Sequence, residues 1–308
     1  MEFFTTAAGI SVHVWDTKDE RCPVKPGMTT DDTPGLTGGP KPGMTTDVTP
    51  GLTGSLKPCL LLLHGYLETM YIFTEFVEAL KKDFRIIVID LPGHGLTDSA
   101  SAGPDGPRVN TLPFMAEVAV GVLDKCGVEK AFVAGHSLGG YVAMNILRDY
   151  PERVERAVML HSHPYPDLPE KAADRAHEQK IVAAGKLHLL AGASIPKMYY
   201  EENLRACDEK IRETIELCET HDPEGIIATI EGMRTRPDYQ EVMKNPPVPL
   251  LLVYGDHDNF LPLERVEEMK KLFPKVAYRL VPESGHNSFI EHPEAALAAV
   301  LDFTKGNC

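Results

Sequence analysis

Short apolar runs that take turns with amphipathic stretches limit this chain more than any other feature. Residues 59–63, 85–90, 131–134, 157–161, 249–254 and 277–281 are runs of four to six residues rich in Leu, Ile and Val, each bounded by turn formers. That length suits a strand buried on both faces. Between them, 71–82, 112–126, 138–150, 263–273 and 293–304 repeat their apolar residues at helical spacing. An earlier segment, 10–16, alternates like a half-buried strand. Strand followed by helix, repeated, requires a mostly parallel central sheet flanked by helices, an α/β fold.

The alternation breaks in two places. From 161 to 245 no buried strand is visible, and 168–190, 201–220 and 223–233 read as helices. We read 161–245 as a helical cap inserted between two strands of the core, which comprises 1–160 and 246–308. The second break is a tandem repeat. KPGMTTDDTPGLTGGP at 25–40 returns at 41–56 with three substitutions. Thr, Gly and Pro cannot bury enough apolar area to offset their ordering entropy, so 25–56 reads as a mobile loop within the core. It precedes the strand at 59–63, and so should project from the end of the sheet opposite the loops that follow the strands.

Composition excludes several classes. The net charge of −14 opposes non-specific binding to nucleic acid. The longest unbroken apolar run, 295–301, is far below the ~20 residues a membrane span needs. The first residues lack a basic stretch followed by an apolar one, so no signal peptide is read there. None of the six cysteines is spaced as C-x-x-C or in a zinc pattern. A cytoplasmic protein with reduced thiols, no metal and no cofactor is the expectation.

Gly135-His136-Ser137-Leu138-Gly139 matches G-x-S-x-G where it carries meaning, between a strand-like run and a helix. Ser137 would sit on a tight turn with a helix N-terminus beside its oxygen. His64-Gly65-Tyr66 follows another strand, where the backbone N–H groups of Tyr66 and Leu138 could converge as an oxyanion hole. His64 itself reads as a residue that holds the loop. Asp256 and Asp258, after the strand at 249–254, supply a carboxylate. Gly285-His286 supplies a histidine before the last helix. The resulting order is Ser…Asp…His.

These motifs together resemble the α/β-hydrolase fold superfamily, over nearly the whole chain apart from the repeat. Asp90-Leu91-Pro92-Gly93-His94-Gly95-Leu96-Thr97 resembles its D-x-P-G-x-G-x-S/T turn, and Tyr150-Pro151-Glu152-Arg153-Val154 the stretch ending its elbow helix. The resemblance implies Asp258, three residues after Gly255, as the triad acid ahead of Asp256. It implies His286 as base and Ser137 as nucleophile. A serine at the elbow sets the chain apart from dehalogenases and epoxide hydrolases with Asp there, and from dienelactone hydrolases with Cys. The expected activity is hydrolysis of small-molecule esters, thioesters or lactones through an acyl-enzyme. A carbon–carbon bond hydrolase or lyase on the same triad, and a ligand-sensing homologue without activity, are the alternatives.

The substrate side is less defined. His161-Ser162-His163-Pro164-Tyr165-Pro166-Asp167 reads first as a stiff hinge into the cap; if it lines the pocket, its two histidines and its tyrosine could bind a polar group of the substrate, His163 foremost. Most cap arginines stand among acidic residues at helical spacing and read as solvated. Arg234 and Arg236, where the cap returns to the core, are the better candidates for a substrate carboxylate, with Arg234 the foremost.

Overall fold

The computed structural model describes residues 1–18, 57–101 and 108–306. The repeat at 25–56 lies outside the described residues. Its nearest described neighbours stand beside the amino ends of the central strands: Thr17 N donates to Ile86 O, and Lys57 Nζ to Lys81 O.

Eight strands form one sheet: β1 (Glu2–Ala7), β2 (Ile10–Asp16), β3 (Cys59–Leu63), β4 (Arg85–Ile89), β5 (Ala131–His136), β6 (Val154–Leu160), β7 (Leu250–Gly255) and β8 (Ala277–Val281). Their spatial order is β1-β2-β4-β3-β5-β6-β7-β8. β1 and β2 run antiparallel to their neighbours, and the remaining six are parallel. β1 is absent from the sequence expectation. It is an edge strand whose Phe3 and Phe4 turn to opposite faces, with Phe4 exposed and stacked on the His13 ring. A hairpin at Ala8-Gly9, both at positive φ, makes the pairing with β2.

The period of two in the strands explains the unbroken apolar runs. In β3, Leu61 and Leu63 join one core cluster with Met115 and Val142; Leu60 and Leu62 join the other with Val77 and Val300. Helices therefore cover both faces: α1 (Thr74–Leu80), α2 (Leu112–Lys125), α3 (Leu138–Asp149), and, after the cap, α9 (Leu263–Leu272), α10 (Ser288–Glu291) and α11 (Pro293–Thr304).

Between β6 and β7 the chain forms α4 (Pro169–Ala183), α5 (Leu187–Ser194), α6 (Asp208–Glu219), α7 (Pro223–Arg234) and α8 (Gln240–Lys244). The single helix expected over 168–190 is two. Gly185 takes φ 72°, Gly185 N bonds Val182 O and Lys186 N bonds Ile181 O. That is a left-handed glycine stop, which ends α4 and redirects the chain. Likewise 201–220 divides into a short 3₁₀ turn, Glu201–Asn203, and α6.

Candidate active site

Ser137 caps α3 with φ 49° and ψ −108°, a region that costs a residue with a side chain about 1–3 kcal/mol. The surroundings dictate this strain. A Cβ on Gly135 would stand 2.1 Å from Gly139 O, and a Cβ on Gly139 would stand 2.1 Å from Leu63 O. Both flanking positions must therefore be glycine for the strand to turn into the helix this tightly. Ser162 Oγ donates to Ser137 O at 3.0 Å, and Gly139 N donates to His64 O at 3.0 Å. The elbow is thus tied to the loops after β6 and β3. Leu138 N is the first amide of α3 and lacks an intrahelical acceptor.

The loop after β7 presents Asp258 to the loop after β8. His286 Nδ1 stands 2.9 and 2.8 Å from the two Asp258 oxygens. Asp256, the competing carboxylate, accepts from Ser284 N instead. Phe260 N and Leu261 N also donate to Asp258 Oδ1, at 2.7 and 2.9 Å. Burial alone would raise the Asp258 carboxyl, but the charge of His286 and the hydrogen bonds of His161 and His286 hold it far below the usual carboxylate range. A serine on a strained strand–helix turn and a histidine seated on a buried carboxylate stand at the carboxyl ends of parallel strands of one sheet, the serine after β5, the carboxylate after β7 and the histidine after β8. A family model described as alpha/beta hydrolase fold matches residues 58–293.

The chain belongs to the alpha/beta hydrolase fold family.

Curated relatives point the same way. The pimeloyl-[acyl-carrier protein] methyl ester esterase of Vibrio parahaemolyticus is 25% identical over 253 residues, covering 80% of this chain and 94% of that protein. Carboxylesterase YbfK of Bacillus subtilis is 28% identical, covering 80% of each. Among solved structures, a thermophilic esterase from Thermogutta terrifontis superposes with a TM-score of 0.80 at 23% identity, over 99% of this chain and 98% of that one.

Two further contacts around these residues were not anticipated from sequence. His161, at the end of β6 with φ 54°, places Nδ1 2.9 Å from Asp258 Oδ2 and Nε2 2.6 Å from Ser288 Oγ. Since the carboxylate accepts, His161 donates from Nδ1 and takes the Ser288 proton at Nε2. Burial pushes this ring down to about 4, so it stays neutral. His161, Asp258 and His286 are also the one group of potential metal ligands among the described residues, their donor atoms lying within 4.8 Å. Here those atoms are engaged with one another.

The second is made by Glu68, buried below the loop after β3. Its Oε2 accepts from Gly65 N at 2.6 Å and from His136 Nδ1 at 2.9 Å, while His136 Nε2 stands 3.0 Å from His286 O. Burial would raise Glu68, yet the adjoining His136 lowers it below its ordinary value. Both His136 nitrogens face oxygen atoms, the Glu68 carboxylate on one side and the His286 carbonyl on the other. This chain links the Tyr66 loop, the elbow and the histidine loop. The signal lay inside the motif, as the unassigned x of G-x-S-x-G.

His64 behaves as expected: Nδ1 donates to Gly65 O and Nε2 accepts from Leu91 N. The two substrate-binding candidates already have partners within the protein. His163 has Nε2 3.2 Å from the Tyr141 hydroxyl and accepts from Tyr165 N at Nδ1, leaving no ring nitrogen for a ligand. It is part of the hinge. Arg234 lies half-exposed at the end of α7, its guanidinium taken by Glu231 in the preceding turn. The neighbouring Arg236 is the buried one, held by Asp167 and stacked on Tyr141 at 4.3 Å.

From the segment between β6 and β7, the Met198 carbonyl accepts from both His286 N, at 2.7 Å, and Asn287 N, at 3.0 Å. The histidine loop is thus clamped by the 3₁₀ turn Pro196–Met198.

Proposed function

We propose that this protein hydrolyses small-molecule carboxylic esters, and chemically equivalent thioesters or lactones, through an acyl-enzyme on Ser137. The observation that carries this reading is the His286–Asp258 pair, which shares the carboxyl edge of the sheet with the strained serine. His286 takes the Ser137 proton as Oγ attacks the acyl carbon, then returns it to the leaving oxygen. Asp258 keeps Nδ1 protonated, so that Nε2 is the basic nitrogen. The N–H groups of Tyr66 and Leu138 bind the oxyanion, each worth about 3 kcal/mol. A second round, with water in place of the serine hydroxyl, frees the acid. The relatives named for ester hydrolysis support the substrate class.

In this reading 161–245 is the cap that shapes the pocket, and the small-molecule substrate enters between cap and core. The four described cysteines form no disulfide, which favours a reducing, cytoplasmic setting.

A fluorophosphonate probe should label the wild-type protein and leave Ser137→Ala unlabelled. Hydrolysis of p-nitrophenyl butyrate by that variant should fall by about 10⁴-fold or more with its melting temperature preserved. Labelling of Ser137→Ala at the wild-type rate would overturn the assignment.

A further inference from the structure

In the sheet, β6 lies between β5, which ends in the serine elbow, and β7, which leads to the acid. The residue that follows β6 is His161, and its φ is 54°. A side chain is strained in that region where glycine would not be. His161 is also buried, so solvent does not repay the strain. Its amide donates to Val253 O at 2.9 Å, which aims the ring from a backbone fixed on β7.

The ring bridges the loops that carry the acid and the base. Nδ1 stands 2.9 Å from Asp258 Oδ2, in the loop after β7. Nε2 stands 2.6 Å from Ser288 Oγ, two residues beyond His286. Ser288, His161 and Asp258 thus repeat the residue types of the nucleophile triad. Ser288 is fully buried, however, so it serves the ring rather than a substrate. By donating to Nε2 it leaves the proton on Nδ1, the tautomer that a carboxylate can accept from. Asp258 Oδ2 then takes an N–H from each ring, His161 at 2.9 Å and His286 at 2.8 Å. The two ring centroids are 5.5 Å apart, inclined at 63°. An oxygen that already accepts from His161 binds the His286 proton less strongly than it would alone.

We infer that His161, held in its Nδ1–H tautomer by Ser288, is a positioning residue for the proton transfer: it fixes Asp258 against His286 and tempers the hold of the carboxylate on the imidazolium. The inference rests on the Ser137–His286–Asp258 reading and deepens it. The tempering has a sign. Without His161 the carboxylate is the stronger partner of the protonated His286 ring, and a general base that stays protonated is idle. The titratable groups around the two rings are Asp258 from the loop after β7, His136 from β5, and Glu68 behind His136 on the loop after β3. Phe260 covers His286 with its centroid at 4.9 Å, and from the segment between β6 and β7 the Met198 carbonyl accepts from its amide. Substitutions at 161 and 288 alter none of these groups.

The test follows p-nitrophenyl butyrate hydrolysis between about pH 5 and 9. His161→Phe should lower kcat with KM kept within about twofold, and should move the acid limb of kcat/KM up by about 0.5 unit. His161→Asn, which sets an amide N–H where Nδ1 stands, should bring the limb back towards the wild-type position. Ser288→Ala should cost about two- to fivefold in kcat in the wild-type protein and nothing further in His161→Phe. An unmoved limb in His161→Phe, a loss that lies in KM, or the same loss from Ser288→Ala in both backgrounds would overturn the role. Should His161→Phe not fold, His161→Asn carries the cycle. Ser288 has no ring nitrogen to serve there, so a loss from Ser288→Ala as large as in the wild-type protein overturns it. The rate at which a fluorophosphonate labels Ser137 reads the same base without an ester and should show the same shift of the limb. Labelling with that shift but no ester turnover would count against the ester-hydrolase reading and leave the role of His161 standing. Turnover with an unmoved limb would overturn that role alone, and absence of both labelling and turnover would overturn both.

Discussion

The carboxyl edge of the sheet and the helices inserted between β6 and β7 hold their charged groups in different ways. At the sheet edge, Asp258 accepts from two histidines and two backbone amides, and the elbow leaves no room for a Cβ at Gly135 or Gly139. Among the inserted helices, Arg175 and Arg236 share the one carboxylate of Asp167, and Glu178 Oε2 is buried without a hydrogen-bond partner. A group that must hold one geometry through a reaction is closed in by the protein. A group that only ties helices together can share a partner or go without one, at some cost in stability. The difference separates what aims the chemistry from what frames it.

The closed region should be the less tolerant. Gly139→Ala sets a methyl group against the Leu63 carbonyl. It should cost more than about 4 kcal/mol in urea unfolding, or prevent soluble expression. A cost below about 1 kcal/mol would show that the elbow can relax, and the contrast with the cap would fail.

Acid should act on both regions. Burial lowers His161 to about 4, His221 to about 4 and His163 to about 3, from an ordinary 6.5. Each is neutral in the fold and binds protons more readily once unfolded. The unfolded state therefore takes up more protons below pH 6.5, and stability falls as the pH drops from there towards 4. Each group contributes up to about 1.4 kcal/mol per pH unit. Melting temperatures from pH 7.5 to 4.5 should show a flat upper region and a steep fall. A curve independent of pH would mean that these rings are charged or exposed.

His161 sharpens the comparison because it is closed in without reaching the serine. His161→Phe removes a donor from Asp258 and should lower kcat by about 10- to 100-fold. His161→Asn, whose side-chain amide can donate in its place, should recover part of that loss. Equal activity in both variants would reduce His161 to packing. Smallest of all is Arg234→Ala, which breaks an exposed pair and should change stability by less than about 0.5 kcal/mol. A large rise in KM there would return Arg234 to the pocket.

The same contrast explains what the sequence made legible. β3 to β7 could be read because two-sided burial leaves unbroken apolar runs such as Leu60-Leu61-Leu62-Leu63, whereas β8, expected to be buried on both faces, is a half-exposed edge strand. Ser137, Asp258 and His286 could be read because each follows such a run, and turn chemistry fixes the glycines beside them. β1 escaped because a half-exposed edge strand carries little pattern. His161 and Glu68 escaped because their partners are 97 and 68 residues away, and only the closed sheet brings them together. In the cap, Arg234 and Arg236 look alike in sequence. α7 ends at Arg234, which pairs with Glu231 in solvent, and the chain leaving the helix carries Arg236 onto the Tyr141 ring.

The carbonyl of Met198 has a mechanical consequence. It takes the amide protons of both His286 and its successor, so the aim of the imidazole is set partly from outside the sheet. The cap cannot be exchanged as an independent specificity module. On the proposed mechanism, a chimera that imports another set of helices here would have to reproduce the turn at Pro196–Met198 to keep His286 on Asp258. Any motion that lifts this turn would also idle the chemistry, which makes an open cap an inactive one.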